Sequence, residues 1–175
     1  GSYGVPIGTA YAGQMLCVPS GNYKGMYLYG LQGTANAPVV ISNCGAGQVM
    51  IDGEGSTTIS ADDGQYLRFT GTGDPNQLYG FVVSDPGDGR SVIRLKGDEE
   101  GVTDIEIEYF ELIGPAYAGI SISNYPYCNA DLDRSVFTQA NTLIHHNYIH
   151  GIRNSSGING GEGIYIGGSH YFMAE

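Results

Sequence analysis

The stretch Asp104-Ile-Glu-Ile-Glu108, followed by Phe110-Glu-Leu-Ile113 and Gly119-Ile-Ser-Ile-Ser123, decides the fold of this chain. Each run carries apolar residues at every second position, and a glycine-bearing turn follows the second run. Alternation with a period of two indicates β-strands that bury one face. In the first run we therefore expect the two isoleucines inside and the acidic residues outside, namely Asp104, Glu106 and Glu108.

Similar pairs of short strands occur before and after this stretch. The strand Phe110-Glu-Leu-Ile113 aligns with Phe81-Val-Val-Ser84 and Asn147-Tyr-Ile-His150. The strand that follows it, Ile120-Ser-Ile122, aligns with Ile93-Arg-Leu95 and Ile164-Tyr-Ile166. The interval is 29 residues from Phe81 to Phe110 and 27 residues from Ile93 to Ile120. The next intervals are longer, which an inserted loop of turn composition at 124–141 explains. A degenerate period built only of strands predicts an all-β fold, the right-handed parallel β-helix, a solenoid with one coil per repeat.

Two features of the predicted solenoid concern its corners and its ends. Asn147 stands where the earlier repeats have phenylalanine, either as a corner residue whose amide bonds the neighbouring coil or as a plain turn residue. Residues 1–175 are predicted to form one domain, and no polar cap follows the strand at 164–166. We therefore expect the amino-terminal part of a longer β-helix, capped by its missing carboxyl-terminal portion or by another chain.

Composition narrows the classes of partner. Glycine accounts for 29 of 175 residues, well above the usual share of about 7%, which suits short strands joined by tight corners. The net charge of −11, with only 7 lysines and arginines, argues against nucleic acid and anionic membranes. Neutral sugars, cationic ligands and calcium stay open. The chain has no apolar run of about 18 residues, so no transmembrane segment is predicted.

The cysteines offer a possible crosslink. Cys17 and Cys44 are 27 residues apart, which is one repeat, so they can stack on neighbouring coils. A disulfide between them and two buried free thiols are both open interpretations. Since no Cys-x-x-Cys pair occurs, the sequence argues against a zinc or thioredoxin-type cysteine site.

Three segments carry a family resemblance: Val18-Pro-Ser-Gly-Asn-Tyr-Lys-Gly25, Gly33-Thr-Ala-Asn-Ala-Pro-Val-Val-Ile41 and Gln48-Val-Met-Ile-Asp-Gly53. Together they resemble the opening coils of the pectin-lyase-like superfamily, and the later repeats resemble secreted right-handed β-helix proteins. More distantly, the chain is similar to chondroitinase-B-like and alginate-lyase-like proteins.

This resemblance implies a secreted or cell-surface protein that acts on or binds acidic polysaccharide in the manner of a polysaccharide lyase. The alternative is a non-catalytic adhesin or a structural subunit of a larger surface assembly, because one fold hosts many functions. The family's enzymes use a lysine and an arginine, with a calcium held by asparagine and glutamate. Lysine occurs here only at Lys24 and Lys96, with no clustered Asn-x-Asn-x-Glu, so no catalytic residue is assigned.

The best candidate binding surface lies on the second strand of each repeat. If the isoleucines face inward, Arg94, Ser121 and Tyr165 face outward in one column, with Lys96 beside them. Tyr125 and His170 follow in the adjoining turns. Cations meet the carboxylate of a sugar acid and aromatic rings stack on its pyranose, so these residues predict a ligand-binding face. An ordinary solvated face is the alternative.

Two further groups are candidate metal or acid–base sites. Asp85-Pro-Gly-Asp-Gly89 is a loop in which Asp85 and Asp88 can bind calcium, or it is a solvated turn. His145, His146 and His150 can act as general base or metal ligands, although plain surface histidines are the favoured interpretation.

Overall fold

The computed structural model describes residues 11–53, 57–85, 90–98, 101–124, 139–153 and 160–168. These residues form β-strands and connecting turns, and no α-helix occurs among them. The strands are β1 Met15–Tyr23, β2 Met26–Tyr29, β3 Val39–Asp52, β4 Ile59–Asp62, β5 Gln65–Thr70, β6 Phe81–Ser84, β7 Ile93–Gly97, β8 Thr103–Glu108, β9 Phe110–Ile113, β10 Ala118–Asn124, β11 Leu143–His145, β12 Tyr148–His150 and β13 Glu162–Gly168. The chain is therefore all-β.

All pairings between these strands are parallel, and they form three ladders. The first ladder runs in the order β1-β3-β5-β8-β11 and the second in the order β1-β3-β6-β9-β12. The long strands β1 and β3 belong to both, because β3 pairs with β5 at its start and with β6 at its end. The third ladder is a separate sheet in the order β2-β4-β7-β10-β13.

The chain visits the three ladders in turn. It passes from β5 to β6 to β7, then from β8 to β9 to β10, and then from β11 to β12 to β13. Parallel neighbours thus come from successive passages of the chain, which is why long-range pairs dominate the pairing.

The core lies between the ladders and consists of the inward-facing apolar residues. Ile105 and Ile107 are 1% and 0% exposed, as the alternation predicts. Glu108 points away from the core, as the alternation predicts. It stands on the outer face of β8, yet it is only 4% exposed, because Arg68 and His145 from the neighbouring strands lie against its carboxylate.

Equivalent positions of the second ladder stack on one another. Phe81 and Phe110 are paired in register, with their ring centroids 4.5 Å apart. The ring planes are nearly parallel, with an angle of 2° between them. Asn147 follows them in the column. Its Oδ1 accepts from the Phe110 backbone N–H at 2.9 Å, and its Nδ2 donates to the carbonyl of Ile107 at 2.8 Å. The interpretation of Asn147 as a corner residue bonded to the neighbouring passage is confirmed.

Some boundaries differ from the sequence prediction. The strands β4 and β5 were not predicted, and β3 is one bent strand where two were expected. Asn124, expected at the start of an inserted loop, is the last residue of β10, and residues 125–138 of that loop lie outside the described part.

The last described strand of the third ladder exposes its inward-facing residues. Ile164 and Ile166 pair with the buried Ile120 and Ile122, but are themselves 46% and 55% exposed. Within the ranges that the structure describes, no helix is long and apolar enough to cross a bilayer.

Candidate functional site

The outer face of the third ladder brings together the column predicted from the sequence. Ser121 of β10 pairs with Arg94 of β7 on one side and with Tyr165 of β13 on the other. The three side chains stand at equivalent positions because the aliphatic residues on either side of them are also in register. The alignment of this column is therefore as predicted, while its role as a binding face stays a prediction.

The column lines a shallow, open pocket. The pocket has a volume of about 260 Å³ and is lined by two arginines, two tyrosines and a floor of serines: Arg90, Arg94, Tyr117, Tyr165, Ser121 and Ser123. The serines are 4% and 3% exposed, so little of their surface is open to solvent. The rings of Tyr117 and Tyr165 are 6.0 Å apart and tilted by 55°, so aromatic edges and faces both border the pocket.

Arg94 is held in place by the strand below it. Its Nη2 donates to Ser60 Oγ at 3.0 Å and lies 3.3 Å from Asp62 Oδ2, both on β4. The Nε atom of Arg94 is buried and has no hydrogen-bond partner among the described residues. A buried guanidinium donor without an acceptor costs stability, so the contacts of Nη2 hold Arg94 in a position that leaves Nε without a hydrogen bond.

Lys96, the other predicted binding residue within the described ranges, does not join this pocket. Lys96 pairs in register with Ser123, but its Nζ lies 2.5 Å from Asp98 Oδ2, and it does not line the pocket. A carboxylate two residues further along the chain holds the ammonium instead. Tyr125 and His170 lie outside the described residues.

The candidate calcium loop is described only at its first residue. Asp85 is 8% exposed, its Oδ2 accepts from the backbone N–H of Ala116, and the same oxygen lies 3.6 Å from Arg153 Nη2. These contacts tie β6 to the turn after β9. Asp88 lies outside the described residues, so calcium binding here stays a prediction.

A second polar cluster lies on the outer face of the first ladder and was not predicted from the sequence. Arg68 of β5 lies beside Glu106 and Glu108 of β8, and His145 of β11 closes the other side. The pKa of Glu108 is lowered: its burial acts in the opposite direction, but hydrogen bonds from Arg68 and Thr70 and the neighbouring positive charge outweigh it. The hydrogen bond to Glu108 raises the pKa of Arg68. Both groups are therefore held in their charged forms.

The remaining histidines have different surroundings. His146 stacks on Tyr109 with ring centroids 5.0 Å apart, and its Nδ1 lies near His145 Nδ1. His150 belongs to the second ladder, where its Nε2 lies 2.9 Å from Glu111 Oε1. The three histidines thus do not form one group, because a ladder boundary separates His150 from the other two.

The strands β1 and β3 are joined by a disulfide. Cys17 pairs in register with Ser42, and Cys44 pairs with Pro19, so the two cysteines lie diagonally across the ladder. Their Cα atoms are 5.5 Å apart, a usual separation for a disulfide, and their sulfur atoms are bonded.

Comparison with known proteins gives no identity. No family model, curated protein or solved structure matches this chain.

Proposed function

We propose that this protein is a right-handed parallel β-helix that binds acidic polysaccharide outside the cell through the pocket on its third ladder. The repeated passage through three parallel ladders supports the fold, since a solenoid of this kind stacks one passage on the next. Right-handedness follows from the strong preference of parallel crossover connections. Solenoids also present long ordered faces, which suit an extended polymer.

The observation that carries the proposal is a pocket in which the side chain of Arg94 lies among serine hydroxyl groups and tyrosine rings. A uronate carboxylate accepts strong, charge-assisted hydrogen bonds from a guanidinium. The hydroxyls of Ser121 and Ser123 suit the hydroxyls of a sugar, and Tyr165 offers a ring for its apolar face. In a chain of net charge −11, the pocket is lined by two arginines, of which Arg94 also lies beside Asp62.

The register sets the length of the binding site. Arg94 and Tyr165 are two strands apart in the third ladder, a separation of roughly 10 Å at the usual spacing of parallel strands. A ligand that contacts both residues therefore extends across the strands and along the axis of the ladder. This direction favours a run of linked sugars over a single monosaccharide.

Replacement of Arg94 by glutamine is expected to weaken binding of alginate or polygalacturonate oligosaccharides by about 10- to 100-fold. A hydrogen bond to a charged group contributes about 1.5–3 kcal/mol, and each 1.4 kcal/mol changes affinity tenfold. Isothermal titration calorimetry on wild type and variant measures the change. Arg153→Gln is the matched control, since Arg153 lies beside Asp85 and does not line the pocket. Equal affinity of wild type and Arg94→Gln would contradict the proposal.

A lyase activity at the same pocket is the second candidate. Elimination from a uronate needs a base and a cation that stabilises the developing negative charge. The tyrosine hydroxyls and Arg94 supply these two kinds of group within one pocket. The ultraviolet absorbance of unsaturated uronate products, measured with and without added calcium, separates the two: an increase supports a lyase, and binding without an increase supports an adhesin or structural role.

The disulfide supports an extracellular location. Stable disulfides form in oxidising compartments and are rare in the cytosol. Purified, non-reduced protein is expected to be lighter than its reduced form by two hydrogen atoms. After unfolding without reductant, an alkylating reagent is expected to modify one of the 3 cysteines, Cys128. Modification of all three, measured by mass spectrometry, would argue against the crosslink and against this support for secretion.

A further inference from the structure

The cluster on the outer face of the first ladder has the features of a ligand set. Glu106 and Glu108 are two residues apart on β8, so both side chains leave the strand on the same face. His145 on the neighbouring strand β11 pairs in register with Glu108. Two carboxylates and an imidazole therefore converge from two adjacent strands.

The distances fit one small cation. His145 Nε2 lies 3.1 Å from Glu106 Oε1 and 3.8 Å from Glu108 Oε2, and one ligand atom from each residue lies within 4.8 Å of the others. A zinc-class ion binds nitrogen and oxygen at about 2.0–2.2 Å, so its ligand atoms stand roughly 3–4 Å from each other. Small side-chain adjustments bring all three atoms to that distance.

Arg68 orients the two carboxylates from the opposite side. Its Nε lies 3.2 Å from Glu106 Oε2, and its Nη2 contacts Glu108 Oε1. These are not the oxygens that face His145, so the guanidinium holds one oxygen of each carboxylate and leaves the other directed at the imidazole. It also offsets one of the two negative charges, which lets two glutamates share a small space without an ion.

The second nitrogen of the imidazole is also engaged. His145 Nδ1 lies 2.5 Å from Nδ1 of His146, whose ring stacks on Tyr109. A metal-binding histidine commonly hydrogen-bonds through its other nitrogen, and that contact fixes the ring and the tautomer. His146 supplies such a contact, so Nε2 of His145, which faces Glu106 Oε1, is the nitrogen left to act as the ligand atom.

We propose that Glu106, Glu108 and His145 bind a divalent transition-metal ion of the zinc class, at a site separate from the sugar pocket. An imidazole and monodentate carboxylates favour zinc-class ions over calcium, which prefers six to eight oxygens. The side chain of Glu108 is 5% exposed and gives the site a buried ligand, while the side chains of Glu106 and His145 are 30% and 26% exposed and leave an entry from solvent. The ion links β8 to β11.

Isothermal titration calorimetry with zinc chloride on chelator-treated protein tests the site. Wild type is expected to bind one zinc per chain, and His145→Ala and Glu106→Gln are expected to bind it more than about 100-fold more weakly, since even the partners of metal ligands commonly contribute 10- to 100-fold. His150→Ala is the matched control. Its imidazole contacts the single carboxylate of Glu111, and the described residues place no second one there.

Two further readouts keep the test decisive. Zinc is expected to raise the midpoint of thermal unfolding of wild type and of His150→Ala, but not of Glu106→Gln, whose half-buried side chain tolerates an isosteric change. Cobalt is expected to give visible d–d absorption that zinc displaces. Absence of saturable zinc binding by wild type would overturn the proposal, and so would equal zinc affinity of wild type and Glu106→Gln. Preference for calcium over zinc would overturn the assigned metal class.

Discussion

Replacement of Phe110 by alanine is expected to lower the free energy of unfolding by about 3–5 kcal/mol. The ring is 0% exposed and stacks on the equally buried ring of Phe81 at 4.5 Å. Truncation removes the transfer energy of the ring and leaves a cavity that the stacked strands cannot close, because the ladder fixes their spacing. Most domains have a free energy of unfolding of about 5–15 kcal/mol, so this loss is a large fraction of the stability.

Urea denaturation followed by circular dichroism measures this effect as a lower midpoint at an unchanged slope. Phe110→Leu keeps most of the volume and is expected to lose less than about 1.5 kcal/mol. Leu78→Ala is the surface control, since Leu78 is 70% exposed and its change is expected to stay within about 0.5 kcal/mol. Equal midpoints for Phe110→Ala and Leu78→Ala would show that the phenylalanine stack does not carry the core.

The same stack shows how far the sequence predicts the fold. Phe81, Phe110 and Asn147 are aligned from residue pattern alone, and the register of the second ladder bears that alignment out. Alternation succeeds here because each strand has one apolar face, which leaves a period-two signal. The all-β class and the parallel neighbours follow from that signal. The β-helix itself rests on the proposal above.

The strands β4 and β5 escaped prediction for a physical reason. β4 has the sequence Ile59-Ser-Ala-Asp62, in which one large apolar residue and one alanine face the core. A pattern of this kind is too short and too polar to stand out from a turn. β5 follows it after only Asp63 and Gly64, so the two strands and their corner appear as one irregular segment.

Because β4 and β5 were not predicted, some residues of the candidate sites were not predicted either. Arg68 lies on β5, so the cluster with Glu106 and Glu108 could not be assembled while that strand was unassigned. Asp62 and Ser60 lie on β4, so the contacts that orient Arg94 were hidden as well. The column of Arg94, Ser121 and Tyr165 could be predicted from the sequence, because all three strands alternate clearly between apolar and polar residues. The pocket around this column could not be predicted from the sequence, since a pocket depends on the side chains that border it from other passages.

A substitution at Gly71, in the corner after β5, is also expected to have a large effect on stability. Gly71 is buried, and its backbone N–H donates to the carbonyl of Glu108 at 3.0 Å. A methyl group on Gly71 would stand 2.1 Å from the carbonyl oxygen of Tyr109 and 2.8 Å from the nitrogen of Gly80. Both obstacles are backbone atoms, which cannot rotate away as a side chain can. The backbone at Gly71 must therefore move away from the backbone at Tyr109 and Gly80.

Replacement of Gly71 by alanine is expected to cost about 3 kcal/mol or more, at the upper end of overpacking effects, and urea denaturation measures it. Separation of the corners also shifts Glu108 relative to Arg68, so zinc affinity is expected to fall together with stability. Gly163→Ala is the control, because a methyl group there meets nothing within 4 Å; it is expected to be neutral or slightly stabilising. If Gly71→Ala unfolds at the same urea concentration as Gly163→Ala, the neighbouring passages are not packed as closely as these contacts require.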